Sequence, residues 1–175
     1  MKWYTSRDIK RLIQRIRDNE EIALKFFEVE TSILSTLSFQ DFFEQLLSKI
    51  MEKFSVGFVW VTLIDKSSAV RLINAYASSA VPEGHLKILD RRHFKQLIPD
   101  SRTPILKNDD LGIFKPLLPK GAAESRYHSL AIIPISLDGE AVGSLNFADM
   151  SKERFSPETD TSLLEQMGLV VSICL

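Results

Sequence analysis

"SLAIIPISLDGEAVGSLNFADMSKERFSPETDTSLLEQMGLVVSICL", Ser129 to Leu175, holds two apolar runs, 128–137 and 140–148, on either side of Asp138-Gly139. Both turn residues tolerate the positive φ of a tight two-residue turn, so the runs are predicted to be the strands of one β-hairpin. Gly143 in the second run would let another backbone or a helix come close to the sheet. Pro134 in the first suits an edge or a bulge better than a central ladder position. Ser156-Pro157 then predicts a helix start, with the hydroxyl as N-cap and proline at the first helical position. Leu163, Leu164, Met167, Val170, Val171 and Cys174 give that helix its apolar stripe.

Upstream of the hairpin, residues 56–64 read as a strand that is apolar on both faces and therefore lies inside a covered sheet. Before it, Ser38 reads as an N-cap, with Asp41 three residues on and Leu37 packing on Phe42 across the cap. The helix so opened carries Phe42, Phe43, Leu46, Leu47 and Ile50 on one stripe and ends near Phe54. After the strand, residues 65–68 read as a turn. Residues 70–77 read as a second strand, with Arg71, Ile73, Ala75 and Ala77 alternating against Leu72, Asn74 and Tyr76. Residues 78–127 hold five of the seven prolines and no long periodic segment. They read as short pieces: a helix over 90–97, a strand over 104–107 and a helical turn over 109–114.

At the N-terminus, steps of four and three residues land on Ile9, Ile13, Ile16, Glu20, Ala23, Phe27, Glu30, Leu34 and Leu37, and seven of these nine are apolar. A period of about 3.5 residues held this long predicts one helix with a seam for another helix. Ile9, Ile13, Ile16, Phe27, Leu34 and Leu37 are the candidate contacts of a homodimer. The fold class that follows is α+β: an antiparallel sheet with the N- and C-terminal helices on one face and an irregular crossover on the other, preceded by a long N-terminal helix. Residues 1–37 form the dimerisation helix and 38–175 the globular domain.

The chain has 175 residues, enough for one domain with a real core, and 45% are hydrophobic. Apolar runs fall far short of the roughly 20 residues that cross a bilayer. Charged residues stand where a signal peptide would need its apolar stretch, and the lone cysteine fits a reducing compartment, so the expected location is the cytoplasm. The net charge of −1 is unevenly spread: residues 1–17 sum to +5, residues 85–128 to +4, and the rest to −10. A concentration of basic charge reads either as solvated surface or as a contact with something anionic.

The hairpin and exit from Ser129 to Leu175 resemble the end of a GAF domain: a strand closing on Pro134-Ile135, a turn with glycine, a strand with Gly143 to Leu145, then Arg154-Phe155 and a helix with Leu163-Leu164. "FQDFFEQLLSKIMEKFSVGFVWVTLID" is similar to the first helix and strand of that fold. With "FFEVETSILSTLS" before it, the chain further resembles a GAF-like bacterial family catalogued as domain of unknown function four-eight-four. The resemblance implies a sensing, dimerising regulatory domain. Some GAF domains reduce methionine sulfoxide with several cysteines and others attach a bilin through one, whereas Cys174 stands alone on an apolar stripe. The Asn-Lys…Phe…Asp-Glu pattern of cyclic-nucleotide GAF domains is matched only by Asn146 and Phe147.

No catalytic residue is therefore expected, no cofactor, and no metal, since His85, His93 and His128 lack ligand-like spacing. The candidate ligand-binding residues are Arg91, Arg92, His93, Arg126, Tyr127 and His128, donors suited to a carboxylate or phosphate, with Tyr76, Ser78 and Asn146 on strand positions that line the same cavity. The reading is a non-catalytic sensor that pairs through its helices, binds a small anionic ligand and signals through a separate protein partner. A first alternative is a structural dimerisation module without ligand. A second is nucleic-acid or membrane-surface binding through Arg7, Lys10, Arg11, Arg15 and Arg17, against which the limited aromatic interleaving, Trp3 and Tyr4, counts.

Overall fold

The computed structural model of the chain describes residues 6–36, 39–65, 70–77, 84–99, 102–119 and 126–175. Leu37, Ser38, Ser78, Trp3, Tyr4 and most of the turn expected at 65–68 lie outside the described residues. The elements in chain order are α1 (Ser6–Leu34), α2 (Phe39–Phe54), β1 (Phe58–Ile64), α3 (Val70–Ala77), β2 (Leu86–Leu89), α4 (Arg91–Leu97), β3 (Ile105–Lys107), a 3-10 segment (Leu111–Leu117), β4 (Ser129–Leu137), β5 (Glu140–Asp149) and α5 (Ser162–Cys174). The five strands form one sheet in the order β2-β1-β5-β4-β3.

The hairpin is the centre of that sheet. Asp138 and Gly139 both have positive φ, 52° and 81°, as the turn requires. On the far side of β5, β1 runs antiparallel, with Phe58 opposite Ala148 and Leu63 opposite Gly143. Pro134 lies beyond the point where β3 stops pairing with β4, at Ile105 opposite Ile132, and just before a register shift between Ile135 and Ser136. Its missing N–H thus falls outside the doubly paired part of the ladder. Side chains alternate across the sheet. Val59, Val61, Leu63, Leu145, Phe147, Ala131 and Ile133 face the helices, whereas Trp60, Ile64, Ala148, Leu130 and Ile132 face the crossover with Phe94, Ile98, Phe114 and Leu117.

On the helical face, α2 lies over β1 and α5 over β4, and α1 packs on both of these helices. Phe43, Leu46, Leu47 and Ile50 of α2 are fully buried. Gly168 lets α5 settle onto β4, because a Cβ there would stand 2.8 Å from Ile133 Cγ2 and 3.1 Å from the Pro134 carbonyl oxygen.

Three expectations are corrected. Residues 70–77 form helix α3, not a strand: Ile73 and Tyr76, one helical turn apart, both pack into the core on the helical face, Tyr76 against Phe43 with ring centroids 5.3 Å apart. An eight-residue segment fits both periods, and packing decides between them. The second neighbour of β1 is instead β2, which pairs with it in parallel through Val61–Leu86 to Ile64–Leu89, so the sheet is not wholly antiparallel. Finally, Ser156-Pro157 opens a turn closed by Thr159 N–H donating to the Ser156 oxygen at 2.9 Å, and α5 starts only at Ser162. Proline at the second position of a tight turn and proline at a helix start share the same φ, so the dipeptide alone does not separate them.

Gly143 fixes how close β1 and β5 can lie: a Cβ on it would sit 2.0 Å from the Thr62 carbonyl oxygen, a backbone atom held in the middle of the sheet. Gly143→Ala is expected to cost about 3 kcal/mol or more, as overpacking against backbone does. Urea unfolding of the variant checks this, and an unchanged midpoint would contradict it.

Candidate functional site

The face of the sheet under the crossover is built from apolar strands interrupted by a few polar side chains. β1 contributes Trp60 and Thr62, and β5 contributes Ser144 and Asn146, all buried. The antiparallel register sets Trp60 opposite Asn146 and Thr62 opposite Ser144. The Asn146 amide nitrogen donates to Thr62 Oγ1 at 3.0 Å, to the Ser144 carbonyl at 3.2 Å and to the Trp60 carbonyl at 3.3 Å, and its oxygen accepts from Ser144 Oγ at 2.8 Å. Trp60 Nε1 donates to the Leu117 carbonyl at 2.8 Å, tying the 3-10 segment onto the sheet. Both ends of the Asn146 amide are thus committed within the protein. Trp60, Thr62 and Ser144 are absent from the sequence-based candidates, although a polar residue inside an otherwise apolar strand is the signal that finds them.

The basic candidates separate into two groups. Asp90 caps α4, its carboxylate accepting from His93 N–H at 3.1 Å and from the His93 ring, and these bonds hold the Asp90 carboxyl below its usual range. Arg91 reaches Glu140 at 3.5 Å, beside the β4–β5 turn; Arg92 and His93 are exposed. Arg126, Tyr127 and His128 lie at the other end of β4, where His128 N–H donates to the Asp149 carbonyl at 2.8 Å. A strand of nine residues separates the groups, a span of roughly 30 Å at about 3.3 Å per residue. They do not wall one cavity. Tyr76, which the strand reading put on the crossover side, sits on the helical side, and burial pushes its hydroxyl pKa up.

The Tyr127 end is the more site-like of the two. The ring of Tyr127 stacks on Phe58 with centroids 6.1 Å apart, and Phe58 in turn stacks on Trp60 and packs against His85. Burial raises the Tyr127 pKa, while the charge of Arg126 opposes that rise. A depression of about 70 Å³ beside the ring is lined by Leu111, Gly112, Lys115, Leu118 and Leu130, which brings Lys115 to the same end as Arg126 and His128. A larger cavity, about 410 Å³, opens on the helical face among α1, the end of α2 and the start of α5, with Phe26, Phe54, Phe147, Phe155 and Leu163 in its walls and Arg154 and Asp160 at its polar side. Arg154 there donates to the Phe54 carbonyl and lies 3.6 Å from Asp149.

Cys174 is part-buried, and that burial raises its thiol pKa, which disfavours the thiolate a nucleophile needs. Among the described residues no three His, Cys, Asp or Glu side chains are grouped to hold a metal, and no helix is long and apolar enough to cross a membrane.

The expected dimer residues lie along α1. Ile9, Ile13, Ile16, Phe27 and Leu34 are all exposed, with Phe27 at 63% and Leu34 at 58%. Phe26, Val29 and Ile33, by contrast, are buried in the domain's own core. At about 100° per residue the exposed set falls within roughly 60° of arc, and the buried set is centred roughly 125° away. The helix therefore carries two apolar stripes, only one of which its own domain covers.

Residues 36–175 match the family model described as the GAF domain. No curated protein matches the chain in sequence. Among solved structures, residues 122 to 287 of a methyl-accepting chemotaxis protein are similar, with a TM-score of 0.52 at 17% identity, covering 86% of this chain and 94% of that one.

Because its hydrogen bonds are internal, Asn146 holds β1 to β5. Asn146→Ala is expected to lower stability by about 2 kcal/mol by stranding the Ser144 hydroxyl and removing the donor to Thr62 Oγ1. Thermal or urea unfolding measures that loss; a variant as stable as the parent would remove the network from the forces that hold the sheet.

Proposed function

The chain belongs to the GAF domain family, and from that premise we propose that it is a non-catalytic regulatory module that works as a homodimer paired through α1 and passes its state to a separate protein. The observation that carries this reading is the uncovered apolar stripe of α1. From Ser6 to Leu24 every residue but Asp8 is exposed, so about 28 Å of helix, at 1.5 Å per residue, projects beyond the globular body. A helix of this length is marginal in water without tertiary contacts. A contiguous apolar stripe left on such a helix is the mark of an interaction surface. Leu169 and Ile173, four residues apart and exposed on α5, add apolar surface to the same helical layer. The fold likeness to part of a chemotaxis protein supports a sensory setting.

The proposed ligand is small and anionic. Its site is the Tyr127 end of the crossover face, where Lys115 and Arg126 supply positive charge beside the His128 ring and an aromatic floor. Arg91, Arg92 and His93 at the other end of β4 are placed outside it. Neither reading calls for a catalytic group, and the raised thiol pKa of Cys174 supports its role as a packing residue.

The dimer is tested by sedimentation at micromolar concentration. The protein is expected to sediment as a dimer, and Ile13→Asp with Ile16→Asp as a folded monomer, since charges introduced on the projecting half touch nothing in its own core. A monomeric parent protein would overturn the reading. For the ligand, thermal shifts against a set of phosphorylated and carboxylate metabolites are expected to find a stabilising anion. Arg126→Ala should weaken its binding by about 1.5–3 kcal/mol, the range for a hydrogen bond to a charged group. Equal affinity in parent and variant would remove Arg126 from the site.

A further inference from the structure

The uncovered stripe does not run along a uniformly charged helix. Residues 6–17 carry five basic residues against Asp8, a net +4, and residues 18–34 carry five acidic residues against Lys25, a net −4. The sign changes near the middle of α1, between Arg17 and Asp18. The outer segment of the projecting part, residues 6–17, is thus basic, whereas residues 26–34, seated on the body, carry Glu28 and Glu30 and no cation. Outside α1 and the basic block over 85–128, residues 35–84 and 129–175 are acidic as well, summing to −6.

A second copy is the occupant that this pattern fits, and it fits in one direction. We propose that two α1 helices pair antiparallel, so that the basic outer segment of each, residues 6–17, lies on the partner's residues 26–34 with their two glutamates. This rests on the dimer reading above and adds its direction and register. Reversed about the centre of the stripe, Ile9 meets Leu34 of the partner subunit and Ile16 meets the partner's Phe27. Ile9 and Ile16 of the projecting half are then set against exposed apolar residues of a seated half. A parallel pair would stack basic on basic and acidic on acidic along the whole interface.

Glu30 belongs to the stretch that the partner's basic segment would cover. It is 5% exposed, at the border between the two stripes of α1. One carboxylate oxygen accepts from Gln166 Nε2 at 2.7 Å, and the other is buried with no hydrogen-bond partner among the described residues. Buried carboxylate oxygens are ordinarily paired. In the antiparallel register Glu30 lies behind the partner's Ile13, so its charge adds to the acidic stretch that the partner's basic segment covers. In a parallel pair that charge would lie beside the partner's own acidic stretch.

Cross-linking tests the direction and sedimentation tests the pairing, so the two readings fail separately. In a Cys174→Ser background, chains carrying Ile9→Cys and chains carrying Leu34→Cys are oxidised alone and mixed. The expected result is a disulfide-linked dimer in the mixture and none from either variant alone. Linkage of the Ile9→Cys chain to itself would establish a parallel pair and overturn the proposal, as would a dimer that cross-links in no mixture. Salt gives a second readout: the antiparallel pair should lose about tenfold in affinity between about 0.05 and 0.5 M salt as attraction is screened, whereas a parallel pair should tighten. A protein that is monomeric at all salt concentrations, or that sediments with anionic lipid vesicles through its basic half instead of pairing, would overturn both the direction and the dimer.

Discussion

The rest of the structure depends on the contact between Gly143 and the Thr62 carbonyl. With no side chain on Gly143, β1 comes close enough to β5 for that oxygen to lie where a Cβ would be. The same register sets Thr62 opposite Ser144 and Trp60 opposite Asn146, so four polar side chains fall on one face, where Thr62, Ser144 and Asn146 bond one another and Trp60 bonds the Leu117 carbonyl. It also turns Val59, Val61 and Leu63 toward the helices. One ladder thus decides both layers: a helical face that is mostly apolar, and a crossover face whose 3-10 segment is pinned through Trp60 and Leu117. Shifting that register by one residue would exchange the two sets and bury the polar groups among α2 and α5 without partners.

The helical face carries the apolar surface of α1 that its own domain leaves uncovered. α1 is attached to α2 and α5 by Phe26, Val29 and Ile33, and Lys53 of α2 holds Glu28 at 2.5 Å. These contacts occupy one side of the seated half and none of the projecting half. A body that changes shape slightly under a ligand could thereby alter how its seated half is presented while the strands stay fixed. The crossover face is chemically suited to the opposite role, because its buried network resists rearrangement and its charged groups stand at the rim.

Much of this was legible in the sequence, for physical reasons that can be named residue by residue. Asp138-Gly139 gave away the hairpin because few residues tolerate positive φ. The heptad steps from Ile9 to Leu34 gave away α1 because a helix is the one element with that period, although the split into two stripes needed the structure, since sequence spacing does not say which stripe the body takes. Residues 70–77 misled because eight residues fit two periods and the choice rests on Phe43, which lies far away in sequence. β2 escaped notice because a four-residue edge strand pairs mainly through its backbone, which leaves little trace in side-chain pattern. The candidate site was legible only as charge. Arg91 and Arg126 both stood in the basic middle segment, and nothing short of strand order reveals that they lie at opposite ends of β4.

The central claim is that the outer stripe of α1 is covered in the working protein. Amide hydrogen exchange over residues 6–24 measures this most directly, because a projecting half-helix with no tertiary contacts opens readily. The account predicts that these amides are protected at high protein concentration and lose that protection on dilution, while the amides of β4 and β5 stay protected throughout. Fast exchange over residues 6–24 at every concentration would contradict it.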